Sequence, residues 1–353
     1  MELHTLKTET VDPSERGSLL GTRYGAQVRR AGELYLEHFA LLGIPSDRVR
    51  DIAERSHAAL RAWAPGLAEE SDACADAAGA DRWTVAAVGA RTEILAACRP
   101  APEGECSTAV FAPAGRRPET MQTWDWHDSL VPDGLLHELT PREGRTVKLF
   151  TEFGAAGKIG VNSAGLGVHF NILFHQADSD AGGVPVHAVA RHILDEADTL
   201  DQAVALASSA RVSASTSLTV VTAGSAASLE LSPAGLAVVP AGEDGWLLHT
   251  NHFLDARLGT GDVHSPESSS VERFAHLRAV RSTLPRLAPA ERAKALCGSP
   301  GPDAVICMRP DEGKPLHEQW GTLLTVGLDV THCALDYVAG TPDEAAQLGF
   351  TRF

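Results

Sequence analysis

The chain has 353 residues and a mass of 37.3 kDa, room for one large domain or two ordinary ones. Hydrophobic residues make up 44% and charged residues 22%, a balance that allows a large buried core. A formal net charge of −16, from 46 acidic and 30 basic residues, argues against a nucleic-acid surface but selects no substrate. Six scattered cysteines contain no CxxC pair, so neither a zinc cage nor a dithiol motif is indicated. Met1–Gly17 lacks the apolar core of a secretory signal, and no apolar run approaches the roughly 18 residues of a membrane span. The expectation is a cytoplasmic protein with reduced thiols and no membrane contact.

Ser14 to about Cys98 reads as mainly helical. Val28, Leu34, Leu36, Phe39 and Leu42 fall near one face, a second helical run ends at Pro65, and Asp81–Ala97 reads as another helix. Arg99–Glu105 (RPAPEGE) has the composition of an exposed loop. After Cys106 the pattern changes to short strands: STAVFA, TMQTWDW, KIGVN, GLGVHFNILF, SLTVVTA, ASLELS, LAVVP and GWLLHTNHF. Two helices interrupt them, the second with Thr199 as N-cap, and a third helical stretch begins near Ser268. AVICMR reads as a further strand, and GTLLTVGLDVTHCALDYVA as a closing hairpin. Hairpins with paired helices predict an antiparallel α+β layered fold. GAAGKIG lacks the helix that a dinucleotide loop requires.

Four places carry candidate chemistry. Cys106–Trp126 folds as a hairpin about PAGRRP; a centre between Gly115 and Arg116 sets Cys106 opposite Asp125, within a residue or two of register. That pairing reads either as a thiol with a carboxylate across the ladder or as a core cysteine and a solvated aspartate. In HTNHF, Asn251 is an oxyanion donor or a turn former. In SSSVERF, Arg273 is a cation for Asp125 or a substrate carboxylate, or an exposed helix residue. In GVNSAGLGVHFN, Asn162 and Gly165 suit a hairpin turn, and Asn171 on the return strand can line a pocket.

Taken in order, RTEI (Arg91–Ile94), ECST (Glu105–Thr108), TWDW (Thr123–Trp126), GVNSAGLGVHFN (Gly160–Asn171), HTNHF (His249–Phe253), SSSVERF (Ser268–Phe274) and GTLLTVGLD (Gly321–Asp329) resemble one family. It is the acyl-coenzyme A:6-aminopenicillanic acid acyltransferase group, also described as the C45 peptidases, within the N-terminal nucleophile (Ntn) hydrolases. The resemblance runs from about Gly17 to Pro342. It implies a four-layer αββα sandwich with a mainly helical N-terminal segment. It also implies a precursor that cuts itself at Glu105–Cys106 into two associated fragments, 1–105 and 106–353.

The implied chemistry follows from the new terminus. An α-amine has a reference pKa of about 7.7–8.0, so at neutral pH part of it is free base able to take the thiol's own proton. None of the 15 histidines is then needed as the base. By resemblance Cys106 is the nucleophile and Asp125 orients the amine or thiol. Asn251 donates to the oxyanion, Asn171 or a nearby N–H completes the hole, and Arg273 buttresses Cys106 and Asp125. Trp124, Trp126, His127, His169 and His252 are candidates for a pocket wall, against ordinary packing. Gln122 stands where the choloylglycine branch carries an arginine, which favours the acyltransferase branch. Glu272 stands where a small hydroxyl residue is expected. The implied substrate is a small amide or acyl thioester, with water or an amine as acceptor. Alternatives are a tailoring N-acyltransferase for a natural product and a non-catalytic protein on a retained fold. A metal-dependent hydrolase is disfavoured because HTNHF lacks a carboxylate and helical spacing.

Overall fold

Asp12 starts the first long helix: its carboxylate accepts the Glu15 N–H at 2.8 Å, and Pro13 occupies the first turn. The computed structural model describes residues 1–96, 105–265, 268–297 and 305–353. Strand β1 (Glu2–Thr8) precedes helices α1 (Pro13–Leu41), α2 (Ser46–Trp63), α3 (Pro65–Ala78), α4 (Arg82–Gly89) and α5 (Arg91–Leu95). A Cβ on Gly17 would lie 2.1 Å from the Glu70 carbonyl oxygen, and one on Gly21 2.3 Å from that of Cys74. These two glycines, one turn apart, let α1 and α3 meet backbone to backbone.

Beyond Cys106 come β2 (Cys106–Phe111), β3 (Glu119–Trp126), β4 (Asp133–Leu139), β5 (Val147–Glu152), β6 (Ile159–Asn162) and β7 (Gly167–Ile172). Then follow α6 (Val186–Glu196), α7 (Leu200–Ser209), β8 (Thr216–Thr222), β9 (Ser225–Ser232), β10 (Gly235–Pro240) and β11 (Trp246–His249). The chain ends with α8 (Ser270–Val280), α9 (Pro289–Cys297), β12 (Gly321–Asp329), β13 (Ala334–Val338), α10 (Pro342–Leu348) and β14 (Thr351–Arg352).

The strands form an eight-stranded sheet, β1-β4-β5-β6-β7-β8-β9-β10, and a six-stranded sheet, β11-β2-β3-β12-β13-β14. Only the β1–β4 pair is parallel among the described strands. α6 and α7 cover the larger sheet, α8 and α10 the smaller, and β2, β11 and β12 meet strands of the larger sheet. This is the expected α+β, four-layer αββα sandwich with a helical N-terminal segment. Tyr35, Phe39, Ile52 and Ile94 share one buried cluster with Phe150, Val168 and Ile193, so the N-terminal helices belong to the main core.

The β6–β7 turn is as expected. Asn162 Oδ1 accepts the N–H groups of Ala164 and Leu166, and Gly165 takes φ 87°. Thr199 caps α7 by accepting the Gln202 N–H. The β2–β3 register differs by one residue from the expected one: Cys106 faces Trp124, because the loop 112–118 centres on Gly115 at φ 69°. AVICMR is not a strand. Ala304 lies outside the described residues, and β12, the strand it would join, is already flanked by β3 and β13. Met308 only exchanges hydrogen bonds with Thr322, donating to its Oγ1 at 3.1 Å and accepting its N–H at 2.9 Å. Arg99–Gly104, expected as an exposed loop, and Cys98 lie outside the described residues; Glu105 itself is buried. No described helix is long and apolar enough to cross a membrane.

Candidate active site

Cys106 is the first residue of β2, a strand inside the smaller sheet with β11 and β3 on either side. The peptide before it is held at every polar point. The Glu105 carbonyl accepts the Asp125 N–H at 2.9 Å, and the Cys106 N–H donates to Asn251 Oδ1 at 2.8 Å. The Cys106 carbonyl accepts from Asn171 Nδ2 at 3.1 Å and Arg273 Nη1 at 2.8 Å. The Glu105 carboxylate accepts from Ser268 Oγ (3.0 Å), Ser269 N (2.9 Å) and Ser269 Oγ (2.6 Å), and pairs with Arg273 Nε at 3.1 Å.

Arg273, on α8, ties these contacts together. It also reaches Ser107 Oγ at 2.8 Å and Asn251 Oδ1 at 2.9 Å, with no exposed surface of its own. Asn251 follows β11, and Ser270 Oγ accepts its N–H at 2.8 Å. Its amide N–H2, the group implied as an oxyanion donor, is given to the Ile172 carbonyl at 2.9 Å. Glu272, where a hydroxyl was expected, points to solvent; Ser268, Ser269 and Ser270 supply the hydroxyl contacts at this end of α8.

The one-residue difference in register changes the meaning of Asp125. Successive strand residues face opposite sides. Cys106, Thr108, Trp124 and Trp126 therefore point between the sheets, where Thr108 donates to Asn171 Oδ1 at 2.7 Å. Ser107 and Asp125 point toward α8. The thiol and the Asp125 carboxylate are not partners across the ladder, a correction to the hairpin pairing drawn from the sequence. Asp125 Oδ1 accepts from Thr322 Oγ1 at 2.6 Å, and Oδ2 has no partner among the described residues. Burial pushes this carboxyl up to about 7, against the pull of Arg273.

Between the sheets, Gln122 fixes Asn171. Its Nε2 donates to Thr108 Oγ1 (2.8 Å), the Phe170 carbonyl (2.7 Å) and Asn171 Oδ1 (3.2 Å), and its Oε1 accepts from His169 Nδ1 at 3.1 Å. His169 is held neutral by burial, its pKa pushed down to about 3. His252 bonds Ser270 Oγ at 2.8 Å on the α8 side, and burial lowers it to about 4. His127 reaches the Gln319 carbonyl at 2.9 Å. None of these three hydrogen-bonds Cys106.

The thiol borders a crevice of about 10 Å³, room for about one water, lined by Arg91, Trp124, Asp125, Trp126, Lys158, Phe170 and Ile172. Sequence reasoning left two of these charges unassigned. Lys158 Nζ lies 2.9 Å from Glu152 Oε1 and 4.0 Å from the Trp124 ring centre. Arg91 Nη2 donates to the same oxygen at 2.7 Å, its guanidinium lies 4.4 Å from the Trp126 ring centre, and the Tyr35 hydroxyl donates to Glu152 Oε2. Burial and the neighbouring Arg91 push Lys158 down to about 7. Glu152, which burial alone would raise, is held low by Arg91 and Lys158. Burial and the nearby Asp125 charge push the Cys106 thiol up to about 12. RTEI had marked Arg91 without a role; Lys158, between two glycines' reach in GKIG, gave no signal of its own. Away from this site, the one described group of possible metal donors, Glu2, His4 and Asp133, lies on β1 and β4, where Asp133 already pairs with His4 and Arg30.

Two stacked sheets between helical layers make the sandwich of the Ntn-hydrolase architecture. Residues 116–343 match the acyl-coenzyme A:6-aminopenicillanic acid acyl-transferase family, and the chain belongs to that family. It is 31% identical over 184 residues to the acyl-coenzyme A:6-aminopenicillanic-acid-acyltransferase 40 kDa form of Emericella nidulans, covering 51% of this chain and 50% of that protein. The chain thus matches about half the length of this curated relative. Among solved structures, penicillin V acylase from Agrobacterium tumefaciens aligns with TM-score 0.45 and 16% identity, over 66% of this chain and 83% of that one. The Caenorhabditis elegans N-acylethanolamine-hydrolyzing acid amidase ortholog aligns with TM-score 0.46 and 13% identity, over 64% and 93%.

Proposed function

We propose that this protein cuts itself at Glu105–Cys106 and then works as a cysteine N-terminal nucleophile amidohydrolase or acyltransferase on a small amide or thioester. The observation that carries this reading is the immobilised peptide. Asp125 N–H polarises the Glu105 carbonyl, Asn251 Oδ1 holds the Cys106 N–H, and the adjoining carbonyl is clamped by Asn171 and Arg273. All four contacts join residues at least 20 positions apart, and three of them come from side chains rather than from the sheet ladder.

In the uncut chain the Cys106 nitrogen is an amide and cannot serve as a base. Lys158 lines the thiol's cavity and, with its pKa near 7, accepts the Sγ proton, directly or through a water. Sγ bonds to the Glu105 carbonyl carbon, and Asp125 N–H stabilises the developing oxyanion. As the C–N bond breaks, the proton passes to the Cys106 nitrogen. Water hydrolyses the thioester, leaving a carboxylate on Glu105, a thiol and a free α-amine. Asn251 Oδ1 then retains that amine, which activates Sγ for turnover. The two fragments stay associated through the shared core.

Intact-mass spectrometry of freshly purified protein under denaturing conditions tests this. Two species dividing at Glu105–Cys106 are expected. One unbroken chain after prolonged incubation would remove the α-amine mechanism.

A further inference from the structure

The self-cleavage proposed above is itself an acyl transfer, and its acyl group is the Glu105 residue. Whatever holds the Glu105 side chain next to the reacting carbonyl is therefore positioned to hold the acyl chain of a substrate. That holder is fully built. Oε1 accepts from Ser268 Oγ and Ser269 N, and Oε2 accepts from Ser269 Oγ and pairs with Arg273 Nε. Glu105 is 3% exposed, and Arg273 is not exposed at all. Ser269 occupies the N-cap position of α8 without a side-chain capping bond, so its N–H lies at the positive end of an eleven-residue helix. Arg273 Nε also contacts Ser269 Oγ at 3.0 Å, which fixes the guanidinium with or without the acid. A carboxylate leaving this place would strand a buried cation and several donors, an outcome that favours another acid taking its place.

We infer that the acyl site facing Cys106 selects acyl groups whose carboxylate is separated from the reacting carbonyl by three carbons, the spacing of a glutaryl or glutamyl chain. The inference rests on the self-cleaving reading and adds the substrate class. In the acylation step Sγ bonds to the acyl carbon, the bond from that carbon to the leaving amine or thiol breaks, and the Sγ proton goes to the leaving group. The substrate carboxylate keeps its charge throughout, paired with Arg273. A neutral chain of equal length would fill the same space but leave the donors unsatisfied, so discrimination should be strong.

The test uses the purified full chain after its cleavage has been verified by mass. It is mixed with N-acetylcysteamine thioesters of glutaric acid and of valeric acid, the neutral five-carbon match. Acyl adducts on the 106–353 fragment and thiol release are followed, with Cys106→Ala as the control for other thiols. Glutaryl should acylate Cys106 roughly 10²-fold faster than valeryl, and Ser269→Ala should shrink that ratio to roughly tenfold or less. If Ser269→Ala fails to process, the wild-type comparison still decides. A cut protein that takes valeryl as fast as glutaryl, or takes neither, overturns this inference while the self-cleavage stands. An uncut chain inert to both overturns this inference together with the reading beneath it.

Discussion

The two sides of Cys106 are built on different principles. Toward α8, Arg273, Asn251 and three serines hold the Glu105–Cys106 backbone and the Glu105 acid with short, mutually satisfied contacts. The same side holds Asp125, pushed up to about 7 by burial, whose carboxylate bonds Thr322 and none of these groups. Between the sheets, Arg91, Glu152 and Lys158 stand in an aromatic shell of Trp124, Trp126 and Tyr35, where one carboxylate oxygen serves two cations. There the low polarity brings Lys158 to about 7. On the proposed reading one side positions and the other handles protons, and each can be disabled separately.

The largest effect should come from the atom they share. Cys106→Ala should give a single uncut species by mass and no turnover of any acyl donor; an active variant would sink the nucleophile assignment. Next is the proton-handling side. Lys158→Met should slow self-cleavage by roughly 10²–10⁴-fold. In the wild type the cleavage rate should rise with pH through about 7, as the lysine loses its proton, and then level off. The variant should lose that limb, whereas Asp125→Asn should keep it, because Asp125 bonds Thr322 and neither Lys158 nor the thiol, although losing its nearby charge should ease thiol ionisation. Time courses of intact mass across a pH series would separate the two, and a limb that follows Asp125 would reassign the base.

A smaller effect is on stability, measured by denaturant titration of Cys106→Ala so that the chain stays whole. Asp125, raised to about 7 in the fold, keeps a proton that the unfolded chain has lost, so its contribution fades as pH rises from about 4 to 7. Lys158, lowered to about 7, is neutral in the fold while the unfolded chain is charged, so its contribution grows from about 7 to 10. Each of these two contributions is worth on the order of a few kcal/mol, and they run in opposite directions with pH. Asp125→Asn should make the acid limb shallower, leaving the share of Glu93 (raised to about 8) and Asp195 (raised to about 6), and Lys158→Met should remove its share of the alkaline one. A flat profile in the parent protein would contradict both shifts.

How much of this was legible in sequence differs by feature. The N-terminal helices, the β6–β7 turn and the β12–β13 hairpin carry local signals: apolar spacing, Asn162 with Gly165, alternating apolar residues. β4 and β5 carry none, because strands covered on both faces lose the alternation that marks a half-buried strand. β1 is short, polar and held by its parallel partner β4. The residues around Cys106 were marked by family-like order. Their roles needed the register, and one residue of slip moved Asp125 to the opposite face from the thiol. Lys158 was invisible because nothing in GKIG shows that Glu152, Arg91 and Trp124 converge on it.

The smallest effect sharpens the comparison at the seam between the sheets. Gln122 touches neither the thiol nor the Glu105 acid, yet its amide aligns Asn171 and bonds the Phe170 carbonyl. Gln122→Met keeps the volume and removes those bonds, leaving buried acceptors and His169 without a partner. The expected cost is about 1–3 kcal/mol of unfolding free energy. Asn171 would still be anchored by Thr108, so the Cys106 carbonyl clamp should survive and self-cleavage should fall by less than roughly tenfold. A fall in cleavage as large as that of Lys158→Met, without a matching loss of stability, would mean that Gln122 acts on the reacting peptide and that the division between the two sides is wrong.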